Sequence, residues 1–126
     1  MTMTARRVAH QRSEANDLDP AACLFHGLSD TSRLSILRHL ALGEHRVVEL
    51  TEHLGLAQST VSKHLACLKD CGLVVSRPQG RASVFSLAHT EALLDLLASA
   101  ERLLALTGGA VALCPTSGIA IMTDAS

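Results

Sequence analysis

Between residues 58 and 87 the apolar period of this chain changes, and the change falls on a glycine. Val61, Leu65 and Leu68 recur at helical spacing within the run Gln58 to Asp70. Gly72 then intervenes, and Leu73-Val74-Val75 and Ala82 to Leu87 read as strands. A helical period cannot also serve a strand, so the segment must be a helix followed by a hairpin. The joint Arg77-Pro78-Gln79-Gly80-Arg81 holds Pro and Gly and reads as the hairpin tip. Upstream, Val47, Leu50 and Leu54 predict a short helix, and Gly55-Leu56 predicts the turn after it.

The rest of the 126 residues fits around that unit. Residues 1–18 are polar and unpatterned and read as an arm. Asp19-Pro20 can start a first helix, with Asp as N-cap and Pro in the first turn. Ser29 or Asp30 caps a second, TSRLSILRHLAL, which Gly43 ends. A last helix runs from Thr90 to about Leu106. Its Leu93, Leu97, Ala100 and Leu104, with more leucines beside them, make an apolar face too wide for one small core and predict a homodimer interface. With 48% hydrophobic and 2% aromatic residues, the core must be built from Leu, Val, Ile and Ala. The expected fold is mainly α with a small β-hairpin, in the order α-α-α-α-β-β-α. Residues 19–107 form one domain and 108–126 a tail of unclear period. Helix, glycine turn, helix and basic hairpin together define a winged helix-turn-helix.

The net charge of −1 conceals an uneven distribution. From Gln58 to Arg81, Lys63, Lys69, Arg77 and Arg81 face a single acid, Asp70. Beyond Leu87, Glu91, Asp95, Glu101 and Asp124 face Arg102 alone. A basic region beside an acidic one is the footprint of a small DNA-binding unit. The second helix of the pair would enter the major groove of double-stranded operator DNA, with Gln58, Ser59, Thr60, Ser62, Lys63 and His64 facing it. Arg77, Gln79 and Arg81 of the hairpin would touch the backbone or minor groove. Two Phe cannot form a stacking platform for single strands. No nucleophile elbow, phosphate loop or HExxH appears, so neither an enzyme nor a small-molecule substrate is expected. The N-terminus lacks the apolar core of a secretory signal, and no apolar run is long enough to span a membrane. A cytoplasmic location is expected.

The stretch from LSDTSRLSIL through STVSKHL to CGLVVSRPQGR resembles the ArsR/SmtB family of metal-sensing repressors, over roughly residues 20–106. The resemblance implies a homodimer joined through its flanking helices, whose repression is relieved when an effector binds.

Four cysteines in such a chain are expected to stay reduced, which points to metal or redox chemistry. On a helical wheel Thr60, His64, Cys67 and Cys71 form a stripe about 100° from the core positions. Two thiols placed there make an incomplete shell for a soft metal, which takes three or four ligands. Within the family, CLKDC is similar to the cadmium/lead-sensing subgroup, whose ligands are two cysteines of the reading helix and one near the C-terminus. Carried over, these are Cys67, Cys71 and Cys114, with Cys114 reaching across a dimer. The family's other metal sites look absent: VVEL stands where a CxC would, and the last helix offers only His89, Glu91, Asp95 and Glu101. Cys23, with His26 one turn on, is a further candidate ligand or a core residue. His64 is a candidate fourth ligand, a DNA contact or a surface histidine, and the other five histidines show no strong spacing. All-thiolate ligation selects soft ions: Cd(II) and Pb(II), then Hg(II), with As(III) after them. The alternatives are an arsenite-sensing repressor and a thiol redox sensor using Cys67 and Cys71, although i, i+4 cysteines strain a helix when bonded.

Overall fold

A computed structural model describes residues 16–114. Its elements are α1 (residues 16–27), α2 (Thr31–Leu40), β1 (His45–Arg46), α3 (Val47–Leu54), α4 (Gln58–Asp70), β2 (Val74–Gln79), β3 (Ala82–Leu87) and α5 (Thr90–Leu106). The winged helix-turn-helix is present, with three strands rather than two. The added strand, β1, has two residues and pairs His45 with Phe85 and Arg46 with Val84. So short a strand has no alternation to display in sequence. The sheet order is β1-β3-β2, antiparallel throughout.

Local chemistry sets most boundaries. The Asp30 carboxylate accepts from the Arg33 amide at 3.1 Å and caps α2. That helix ends at Leu40, two residues short of the sequence expectation. Before α3, the Glu49 carboxylate accepts from the Arg46 amide at 3.0 Å. Gly55, left-handed at φ 66°, closes α3. The end of α4 is a Schellman motif: the Leu73 amide donates to the Leu68 carbonyl at 2.9 Å and the Gly72 amide to that of Lys69 at 3.0 Å. Gly72 adopts φ 76° there.

Two expectations need correction. Described residues are helical from 16 onward, so Asp19 lies inside α1 and is not its N-cap. In the wing, Arg77, Pro78 and Gln79 belong to β2, and the turn is Gly80-Arg81 alone. Gly80 has φ 64° and Arg81 does not have a positive φ, the pattern of a type II′ hairpin turn. Pro78 fits because β2 is an edge strand.

The core joins Ile36, Leu37 and Leu40 of α2, Leu50 of α3, Val61, Leu65 and Leu68 of α4, Val74 and Leu87 of the sheet, and Leu93 and Leu97 of α5. Each large aliphatic side chain so buried contributes about 1.5–3 kcal/mol. Among the described residues no polar or charged residue is buried. No helix among them is long and apolar enough to cross a membrane.

Candidate functional site

The three buried residues of α4 anchor one face of the helix and turn the opposite face outward. Gln58, Ser59, Ser62 and Lys63 are exposed, and Thr60 is half-buried. No side chain caps the helix start, so its first amides are open to a phosphate. Gln79, just before the wing turn, and Arg81, within it, are exposed. Among the described residues neither Lys63 nor Arg81 has a side-chain partner. Exposed polar and basic groups of this kind are what contact with a DNA backbone and groove requires.

Two residues expected on that surface are engaged elsewhere. His64 turns inward: its Nδ1 lies 3.3 Å from Arg33 Nη1 and its Nε2 3.8 Å from Asp30 Oδ2. Only 18% of its side chain is exposed, so its geometry links α4 to the α1–α2 corner and not to DNA. Arg77 forms a two-pronged ion pair with Glu44, at 2.6 and 2.8 Å. The pairing holds the Glu44 carboxyl below its ordinary pKa, first through the hydrogen bond and then through the charge. Lys69 reaches across to Ser76 Oγ of β2 at 2.9 Å.

The cysteine-bearing shoulder of α4 is built as its spacing predicts. Thr60, His64, Cys67 and Cys71 are all half-buried, beside the buried Val61, Leu65 and Leu68. The partner of Cys71 is not as expected. Cys71 caps the helix and is joined by a disulfide to Cys23 of α1, with Cα atoms 5.6 Å apart. The expectation that all four cysteines are free is therefore corrected for this pair. The cause is close packing of α1 on the end of α4. A Cβ at the buried Gly27 would lie 3.2 Å from Leu73, 3.6 Å from Leu68 and 3.9 Å from Cys71 Sγ. Arg33 secures the same corner by donating to the carbonyls of Gly27 at 3.0 Å and His26 at 2.9 Å.

Cys67 is free and half-buried, and Cys114 is free and buried. Residues 112–114 fold back on α5 and α2. Glu101 Oε1 accepts from the amides of Leu113 at 2.7 Å and Cys114 at 2.5 Å, and Arg38 donates to the Ala112 carbonyl at 3.1 Å. The Cys114 sulfur is 3.5 Å from the Leu94 carbonyl oxygen. Burial, and then the charge of Glu101, push its thiol pKa up. Among the described residues of one protomer, no three His, Cys, Asp or Glu side chains gather as a metal would need. Cys67, Cys71 and Cys114 are thus not brought together within one chain.

The expected dimer face also divides. Leu93 and Leu97 are only 5% and 4% exposed and belong to the core of their own protomer. Ala100 and Leu104 are half-buried. On α5 and α1 the large apolar side chains left exposed are instead Leu103 and Leu106, with Leu18 and Phe25, all at least 60% exposed. A wheel drawn on α5 alone shows a broad stripe but not which half the rest of the chain covers.

Sequence reasoning also missed Arg33 and Glu44, whose partners lie 31 and 33 positions away. It missed a pile of three imidazoles as well. His39 stacks on His53 at 5.2 Å between ring centres, and His45 stands edge-on to both at 6.3 and 5.8 Å. Burial, then His53, His45 and Arg38, lower the pKa of His39. Spacings of six and eight residues carry no signal of this cluster.

Comparison with known proteins agrees with the geometry. Residues 30–76 match the family described as bacterial regulatory protein, arsR family. The chain is 36% identical over 96 residues to a probable mercury resistance operon repressor of Streptomyces lividans, covering 76% of each protein. It is 45% identical over 69 residues to the HTH-type transcriptional regulator CmtR of Mycobacterium tuberculosis, covering 55% of this chain and 58% of that protein. A homodimeric winged helix-turn-helix DNA-binding domain from Mycobacterium bovis superposes with a TM-score of 0.63 at 32% identity, over 72% of this chain and 88% of the other. An exposed reading helix and a wing carried on this fold are the working parts of a transcriptional regulator, not of an enzyme, and the chain belongs to the arsR family.

Proposed function

We propose that the chain is a homodimeric, metal-responsive repressor. Metal-free, it holds a pseudo-palindromic operator, and it releases that operator when a soft ion binds its cysteine thiolates. One observation carries this reading: the helix presenting Gln58, Ser59, Ser62 and Lys63 at its start also bears Cys67 and Cys71 towards its end. A metal that moves the sulfur end of a rigid helix moves the reading end with it. The names of the mercury-resistance and CmtR relatives support a metal effector. The ligands are drawn from Cys67, Cys71, Cys114 and Cys23. Cys114 takes part only after leaving its buried place, and Cys71 only as a free thiol. The exposed Leu18, Phe25, Leu103 and Leu106 supply the dimer contact, and a twofold axis then sets two reading helices one DNA turn apart.

The test is operator binding by fluorescence anisotropy, with and without Cd(II), Pb(II) or Hg(II). Cys67→Ser/Cys71→Ser should keep apo binding and lose the metal response. A coupling of about 1–3 kcal/mol is ordinary, and near-complete release requires about 5.5 kcal/mol. An unchanged metal response in that double variant removes the reading helix from the sensor. The Cys23–Cys71 bond favours a second reading, a peroxide-sensitive repressor, with this pair replacing Cys67 and Cys71 as the reactive thiols. Peroxide that releases operator from the reduced protein without metal, and fails to do so in Cys23→Ser, would select it.

A further inference from the structure

Cys23 and Cys71 are the two sulfurs that one protomer places against each other without help from a partner chain. They come from separate elements, α1 and the cap of α4, so their separation can change without unwinding either helix. Their surroundings are unusual for a metal site. Around Cys71, Gly27 closes in together with the side chains of Leu68 and Leu73. The Cys71 sulfur lies 3.0 Å from the Cys23 carbonyl oxygen. Among the described residues no third His, Cys, Asp or Glu joins the pair.

We infer that, once reduced, Cys23 and Cys71 form a two-thiolate site selective for Hg(II) among the soft ions. The inference rests on the metal-responsive reading above and narrows its ligands and its ion. Hg(II) is satisfied by two sulfurs in a line, and two thiolates cancel its charge, so the bound group is neutral and suits apolar neighbours. Cd(II) and Pb(II) held by the same two sulfurs would lack the further ligands they require. Loading begins with exchange: two molecules of a low-molecular-weight thiol open the disulfide, leaving two cysteine thiols and one small disulfide. Hg(II) then forms two Hg–S bonds and releases two protons. A linear S–Hg–S unit spans roughly twice a metal–sulfur bond of about 2.3 Å, so the sulfurs must move apart. Gly27, one turn beyond Cys23, is already packed on Leu73 and Leu68 and acts as the fulcrum. The ion therefore wedges α1 away from the end of the reading helix.

The test uses the full chain, reduced with a phosphine under argon and loaded with HgCl2. Mercury-edge X-ray absorption on the unmodified protein should give two sulfurs, with one ion per protomer. Cys67→Ser/Cys114→Ser should retain that spectrum and stoichiometry. Cys23→Ser should lose Hg(II) to a competing dithiol by more than the about 10–100-fold that a merely supporting residue costs, with Cd(II) affinity unchanged. A third sulfur on mercury in the unmodified protein, or undiminished Hg(II) affinity in Cys23→Ser, overturns the inference while leaving a cysteine-based sensor intact. Two-sulfur mercury on a protein that still holds its operator confirms the site and instead removes the metal-responsive reading.

Discussion

The two ends of α4 differ in what surrounds them. At its start Gln58, Ser59, Ser62 and Lys63 face solvent and the first amides have no side-chain cap. At its end the backbone is closed by a Schellman motif, packed under Gly27 and joined to α1 through Cys71. The twelve steps from Ser59 to Cys71 span about 18 Å at 1.5 Å per residue. Between the ends, Val61, Leu65 and Leu68 are at most 1% exposed, which makes the helix a stiff connector. A recognition element needs one end free to meet its target. Regulation needs the other end held by something that chemistry can alter. Under the proposed function both requirements fall on one helix of 13 residues.

The largest predicted effect removes the distinction altogether. Leu97→Glu places a charge in the core under α4 and should unfold the protomer, with a loss above about 4 kcal/mol in denaturant titration. Leu103→Glu, on the exposed face of the same helix, should leave the protomer folded and weaken self-association by sedimentation. If Leu97→Glu instead gave a folded monomer, the division of α5 described above would be wrong.

Gly72→Ala attacks only the restrained end. An L side chain in the left-handed region costs roughly 1–2 kcal/mol, and that loss should appear as a lower melting temperature. Lys63→Ala attacks only the free end, and Arg81→Ala only the wing. Each should weaken binding to all DNA sequences alike and lower the salt slope by about one, leaving thermal stability within about 0.5 kcal/mol of the parent.

A smaller effect concerns the wing. Glu44→Gln should release Arg77 for DNA and raise operator affinity slightly, since an exposed pair is held only weakly. Its pH dependence has a definite sign. Because the folded carboxyl lies below its ordinary pKa, the pair is fully present above the usual glutamate range and is lost as pH falls through the depressed value. Acid should thus stiffen the salt dependence of the parent and leave Glu44→Gln unchanged. The smallest effect lies away from α4. His39 has a lowered pKa, so its contribution is complete above the ordinary imidazole range and fades as pH falls below it. Between about pH 7 and about pH 5, His39→Gln should lose less melting temperature than the parent, with reading and sulfur ends unaffected.

What the sequence determined by itself is what neighbours along the chain decide. The apolar periods, the Asp30 cap and the glycines at 55, 72 and 80 act within a few residues of where they stand. They set the helix-turn-helix and wing, the exposed reading residues, and the shoulder of Thr60, His64, Cys67 and Cys71. A period says which residues share a face but not what is laid over that face. Only the tertiary structure placed Cys23 on Cys71 across 48 residues, Glu44 on Arg77 across 33, and the imidazoles of His39, His45 and His53 together. It alone sent Leu93 and Leu97 inward while leaving Leu103 and Leu106 outside. These outcomes depend on how α1, the sheet and α5 pack around α4, and packing is a property of the whole chain that no local window contains.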